Sequence, residues 1–114
     1  MFVSIVTVCF NSEPTIKECI ESVRSQSLKD YEHIIIDGGS SDRTLEIIES
    51  CMHQRMKVIS EPDDGIYDAM NKGVKVAKGD VIHFLNSDDT YVDDGVLQLV
   101  LSLIHISEPT RPPE

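Results

Sequence analysis

The chain alternates short apolar runs with stretches whose apolar positions recur at helical spacing. Val3-Ser4-Ile5-Val6-Thr7-Val8-Cys9 is a β-branched run, too continuous for a half-exposed strand and suited to a buried parallel one. Past Asn11-Ser12, read as a capping pair, Ile16, Cys19, Ile20 and Val23 fall at i, i+3, i+4 and i+7. That spacing is one apolar face of a helix, with Pro14 tolerated in its first turn. His33-Ile34-Ile35-Ile36 predicts a second strand, ended by Asp37-Gly38-Gly39-Ser40. Asp42 is placed to cap a second helix whose buried face is Leu45, Ile48 and Met52. Val58 and Ile59 make a short third strand, and Glu61-Pro62-Asp63-Asp64-Gly65 reads as a loop. Ile66, Ala69, Met70, Gly73, Val74 and Ala77 mark a third helix face, closed by Gly79 as C-cap. Val81 to Leu85 predicts a fourth strand running into Asn86-Ser87-Asp88-Asp89. Strands alternating with single helices imply right-handed crossovers. The expected fold is α/β, a parallel sheet of about four strands with helices on both faces.

Composition narrows the function classes. At 114 residues the chain is one domain or part of one. Ten basic against twenty acidic residues leave a net charge of −10, without the basic footprint that nucleic acid requires. No apolar run reaches the roughly 18 residues of a membrane span. Met1 to Cys9 lacks a basic n-region and a small-residue cleavage site, so no signal peptide is read and a cytoplasmic location is expected. Cys9, Cys19 and Cys51 are odd in number and widely spaced, which fits reduced thiols better than a disulfide framework or metal knuckle. The four histidines show no ligand spacing.

Polar residues gather where strands end: Cys9-Phe10-Asn11, Asp37 to Asp42, Asp63-Asp64-Gly65 and Asn86 to Asp89. Open α/β sheets bind ligands outside the carboxyl ends of their strands, so four such loops predict one site. Asp88 and Asp89 follow an apolar strand. One could face a metal while its neighbour faces a sugar or ribose hydroxyl, since Mg²⁺ takes one or two carboxylates plus phosphate oxygens. A bridging cation would also let a diphosphate enter so acidic a site. The plainer reading is that Asp88 caps the next helix. Asp37, before two glycines, is placed either to accept a hydrogen bond from a base or ribose or simply to form a turn. Glu61, Asp63 and Asp64 read as a solvated loop.

The succession Val3 to Asn11, Ile36-Asp37-Gly38-Gly39-Ser40-Ser41-Asp42-Arg43-Thr44, Ser60 to Gly73 (SEPDDGIYDAMNKG), Gly79-Asp80, then Phe84-Leu85-Asn86-Ser87-Asp88-Asp89 resembles family 2 glycosyltransferases with the GT-A fold. The wording is nearest the branch that builds bacterial surface polysaccharides such as colanic acid and O-antigen. The resemblance covers residues 2 to about 100. It implies a Rossmann-like, nucleotide-sugar-binding half of an inverting transferase that uses a nucleotide-diphosphate sugar, Mg²⁺ or Mn²⁺, and a glycan or lipid-linked acceptor. It implies that Thr7 and Val8 lie against the base and that Asp37 hydrogen-bonds it. Asp89 is implied as the leading metal ligand, with Asp88 at the ribose or sugar and beside the ion; Asp63 and Gly65 fall where a loop closes on the donor. Two departures stand out: many relatives carry a second acid where Gly38 stands, and the first DXD position is Asn86. Relatives also continue into an acceptor half that supplies the carboxylate general base, so the expectation here is a truncated donor-binding part without that base. Peripheral membrane association of the full-length enzyme and self-association through an exposed sheet edge follow as further expectations.

The readings from other classes are a nucleotide-binding α/β module that works by binding alone, and a fragment with no function. No receiver-type lysine, no GxGxxG after the first strand and no GKS or GKT is present. A final helix is expected from Asp93-Asp94-Gly95, with Val96 to Ile106 apolar almost all round. From Leu101 the sequence LSLIHISEPTRPPE resembles translated sequencing-adapter tails. The expected division is therefore a donor-binding part over 1–100 and a non-native or disordered tail over 101–114, a genuine Pro-rich tail being the alternative.

Overall fold

A computed structural model describes residues 1–107. The order is β1 (Val3–Cys9), α1 (Ile16–Arg24), β2 (Tyr31–Asp37), α2 (Thr44–Ser50), β3 (Met56–Ser60), α3 (Ile66–Val76), β4 (Val81–Phe84) and α4 (Val96–Ser107). All strand pairs are parallel, and the sheet order is β3-β2-β1-β4. The expected class is what the fold shows.

Strand alternation decides which face each residue serves. Val3, Ile5 and Cys9 pack with Cys19, Ile20, Val23 and Ile48 beneath α1 and α2, where Leu97 of α4 joins them. Val6, Ile34 and Ile36 turn the other way and meet Ala69 of α3. All seven residues of β2 are buried, as its apolar run predicts. β4 is an edge strand with Ile82 and Phe84 exposed, since α3 lies over β1 and β2.

Several local readings change. The α1 face is Ile16, Cys19, Ile20 and Val23, as its spacing predicts. No side chain caps this helix, and Pro14 lies in the turn before it; the Ser12 carbonyl instead accepts from the amides of Thr15 and Ile16. The N-cap position of α2 is Arg43, with no side-chain cap; Asp42, one residue earlier, accepts from the Thr44 amide at 2.9 Å and turns the chain into the helix. Met52 lies past the end of α2 and is exposed. On α3 the buried positions narrow to Ala69 and Gly73, while Ile66 and Val74 are exposed. Gly79 is not a left-handed cap. A Cβ there would stand 2.6 Å from the Ser4 amide, so glycine is needed for close packing at the start of β1. Its neighbour Asp80 secures the same place, accepting from the Phe2 amide at 2.9 Å. Helix α4 continues across the boundary expected at residue 100. The remainder of the expected tail, 108–114, lies outside the described residues. Among those described, no helix is long and apolar enough to cross a membrane.

Gly73 sets how closely α3 approaches the sheet, because a Cβ on it would collide with Cγ1 of the buried Val6. Overpacking of a core costs about 1–3 kcal/mol, whereas replacing a helical glycine by alanine gains up to about 1 kcal/mol. The collision should win. We expect Gly73→Val to lower stability by about 3 kcal/mol and Gly73→Ala by less, read as urea midpoints; an unchanged midpoint in Gly73→Val would contradict the contact.

Candidate functional site

The chain runs outward from β1 through β2 to β3, then returns past β1 to β4. Helices therefore leave on opposite faces at β1, and a crevice opens between the carboxyl ends of β1 and β4, the usual ligand position in such sheets. β4 ends opposite Val6, so β1 extends beyond it. A cavity of about 340 Å³ sits there, lined by Val8, Phe10, Asp63, Gly65, Ile66 and Ser87 among others. A second hollow of about 500 Å³ adjoins it and shares Val8 and Ile66, with Asn86 and Asp88 on its wall.

Side chains tie the loops around this crevice together. Asn11 is held at φ 49°, a left-handed conformation that asparagine tolerates. Its Oδ1 accepts from the amides of Ser41 at 2.9 Å and Asp42 at 3.3 Å, joining the β1 and β2 loops. The hydroxyls of Ser12 and Ser87 meet at 3.0 Å and join the β1 and β4 loops. Lys72 clasps the β3–α3 loop, with Nζ donating to the Pro62 carbonyl at 3.0 Å and pairing with Glu61 at 3.2 Å. Gly65 ends that loop at φ 112°, which favours glycine.

The sequence expectations divide here. Val8, Asp63 and Gly65 line the first cavity, and Asp88 lines the second with Val8. Thr7 does not join them. Adjacent strand residues face opposite ways, so Thr7 points towards α1, fully buried, with its hydroxyl 2.8 Å from His33 Nε2. Asp37 is also inside the protein, with no exposed surface. Its oxygens accept from the amides of Gly39 at 3.1 Å and Ser40 at 3.0 Å, the Ser60 hydroxyl at 2.9 Å and the Ser40 hydroxyl. Burial alone would raise its pKa, yet these hydrogen bonds outweigh burial and hold the carboxyl below the usual aspartate range. A carboxylate so occupied fastens the β2 loop.

Asp89 lines neither hollow; its amide donates to the Asn86 carbonyl at 3.0 Å and closes the turn after β4. Among the described residues no three His, Cys, Asp or Glu side chains converge as an ion cage. Asp88 and Asp89 are both exposed. Two adjacent exposed carboxylates fit a hard cation whose other ligands are phosphate oxygens and water, and do not fit a metal held by protein alone. Cys9 touches the cavity, but burial first and then Asp37 push its thiol far above the ordinary range, so no thiolate nucleophile is available. Phe10, Ser12, Ile66 and Ser87 were not singled out from sequence. Their position at the strand ends was readable, but which of them turn inward depends on contacts with distant loops.

An open parallel sheet with an acidic crevice at its switch point defines a Rossmann-like α/β unit. Comparison with known proteins takes this further. The chain belongs to glycosyl transferase family 2, which matches residues 4–108; the match runs past the boundary expected near Val100. A PGL/p-HBAD biosynthesis glycosyltransferase of Mycobacterium bovis is 34% identical over 110 residues, covering 94% of this chain and 43% of the relative. The uncharacterized glycosyltransferase EpsJ of Bacillus subtilis is 40% identical over 98 residues, covering 84% of this chain and 28% of that protein. The chain thus spans less than half the length of these relatives. Two solved structures share the fold. TarS 1-349 of S. aureus, in complex with UDP-GlcNAc, superposes with a TM-score of 0.84 at 24% identity, covering 100% of this chain and 37% of that one. The mannosyltransferase PcManGT of Pyrobaculum calidifontis, in complex with GDP-Man and Mn²⁺, gives 0.86 at 19% identity, covering 95% and 33%.

Proposed function

We propose that this chain is the donor-binding part of a glycosyltransferase and that its crevice takes a nucleotide-diphosphate sugar. The observation that carries the reading is the cavity between the ends of β1 and β4, lined by Val8, Asp63 and Gly65, in a chain of glycosyl transferase family 2. Apolar Val8, Phe10 and Ile66 suit the flat face of a base, and Asp63 and Asp88 are acceptors for N–H or ribose hydroxyl donors. A Mg²⁺ or Mn²⁺ held by Asp89 and Asp88 would neutralise diphosphate charge and ease departure of the nucleotide. In this reading the full-length enzyme is inverting and works on cytoplasmic nucleotide sugars. It passes the sugar to a glycan or lipid-linked acceptor in cell-surface polysaccharide synthesis and associates peripherally with the membrane that carries such acceptors. The general base that deprotonates the acceptor belongs to the acceptor side of the site.

Calorimetric titration of UDP, GDP and their sugars into the chain, with and without Mn²⁺, tests this. Binding that needs the metal and is lost in Asp89→Ala is expected. No binding of any of these under either condition would sink the proposal.

A further inference from the structure

The β2 loop carries Gly38 beside Asp37, and neither acid of that loop lines the cavity: Asp37 holds the loop's own donors, and Asp42 accepts from the Glu13 and Thr44 amides. Gly38 has no conformational need to be glycine, since its φ lies outside the left-handed region that Gly39 and Gly65 occupy. What excludes a side chain there is one neighbour. A Cβ on Gly38 would stand 2.7 Å from Asp63 Oδ2 and 3.2 Å from Asp63 Cγ. The carboxylate of Asp63, from the β3–α3 loop, thus fills the volume a residue at 38 would occupy, while also lining the cavity. Its Oδ1 accepts from the Gly65 amide at 3.2 Å, and its Oδ2 accepts no hydrogen bond from the described residues. The Lys72 clasp holds this loop in place through Glu61 and the Pro62 carbonyl.

We infer that Asp63 is the base-selecting acceptor of the donor site and that Gly38 is glycine to make room for it. The inference rests on the donor-binding reading above. A carboxylate oxygen open at the end of an apolar slot recognises a ring N–H, so the class selected is a uracil or guanine nucleotide, through uracil N3–H or guanine N1–H. The acid is supplied from the β3–α3 loop, and Gly38 and Asp63 form a pair whose roles can be exchanged.

Exchange is the test. UDP, GDP and N3-methyl-UDP, which lacks the ring N–H, are titrated with Mn²⁺ into the chain and three variants whose thermal midpoints are recorded alongside. The unaltered chain should prefer UDP or GDP, and N3-methylation should weaken UDP binding if uracil is the base. Asp63→Ala should lose on the order of tenfold or more in affinity for the preferred nucleotide. If that nucleotide is UDP, Asp63→Ala should bind UDP and N3-methyl-UDP alike. Gly38→Asp should also weaken binding, because two carboxylates compete for one place. The double variant Gly38→Asp/Asp63→Ala should recover affinity for the preferred nucleotide. Failure of the unaltered chain to bind either nucleotide defeats the donor-binding reading itself. Binding by that chain with Asp63→Ala unaffected, or with the folded double variant no better than Asp63→Ala, overturns the assignment of Asp63 alone.

Discussion

Asp37→Ala should lower stability by about 2–4 kcal/mol, with a matching drop in the urea midpoint. The substitution removes a buried carboxylate and strands the amides of Gly39 and Ser40, together with the hydroxyls of Ser40 and Ser60. Hydroxyls can turn to other partners, but the two part-buried amides are fixed by the backbone; a donor left without a partner costs about 1–3 kcal/mol when buried and less where water reaches it. Natural domains have only about 5–15 kcal/mol to lose. Asp37→Asn keeps one acceptor oxygen and should cost less. Circular dichroism across a urea titration reads both variants. The competing role for Asp37, a direct contact to a nucleotide base, predicts the reverse: an unchanged urea midpoint with binding lost. That pattern would overturn the structural role.

Mild acid should destabilise the fold through His33. This imidazole is completely buried, with Nε2 on Thr7 and Nδ1 without a partner among the described residues. Burial, with a smaller contribution from His53, lowers its pKa from 6.5 to about 3. The unfolded chain therefore takes up a proton between those two values while the folded chain does not, and stability falls as pH falls through that window. Over the whole window the loss is on the order of 5 kcal/mol. Asp37, whose pKa is held low, adds a further loss at the acid end, where the unfolded state protonates first. His53 and His83 are also lowered, chiefly by burial, and act in the same direction as His33. His33→Gln, which cannot charge yet can still bond Thr7, should flatten the dependence of the urea midpoint on pH between about 6.5 and 4 without abolishing it. A slope equal to that of the unaltered chain would show that His33 does not carry the effect.

Both predictions turn on side chains whose roles the local sequence left open or passed over. His33 lies inside an apolar run and signalled nothing beyond a buried strand. Asp37 sits at a strand end before two glycines, where a ligand contact and a turn-forming role look alike. What separates them is Ser60, twenty-three positions on, whose hydroxyl completes the carboxylate's set of donors. Thr7 went astray for a related reason. A continuous β-branched strand shows no polar alternation, so the run itself does not reveal which residues face the crevice and which face α1.

Elements set by short-range chemistry were legible. The α1 stripe of Ile16, Cys19, Ile20 and Val23 is a property of helix geometry and is buried as its spacing predicts. The four strand–helix alternations imply parallel pairing by right-handed crossovers, and the acidic loops at one sheet edge follow from that. The narrow seat of α3 was not legible, because Gly73 is decided by Val6 across the layer interface. Nor was the partnership of Gly38 with Asp63, whose residues belong to different loops and meet only when β3 pairs with β2. The sequence alone therefore determined the α/β class, the edge that carries the site and the acidic residues available to it. Tertiary structure decided which carboxylate is consumed in holding the loops and which is left open to a ligand, because that depends on how many donors distant segments bring to each oxygen.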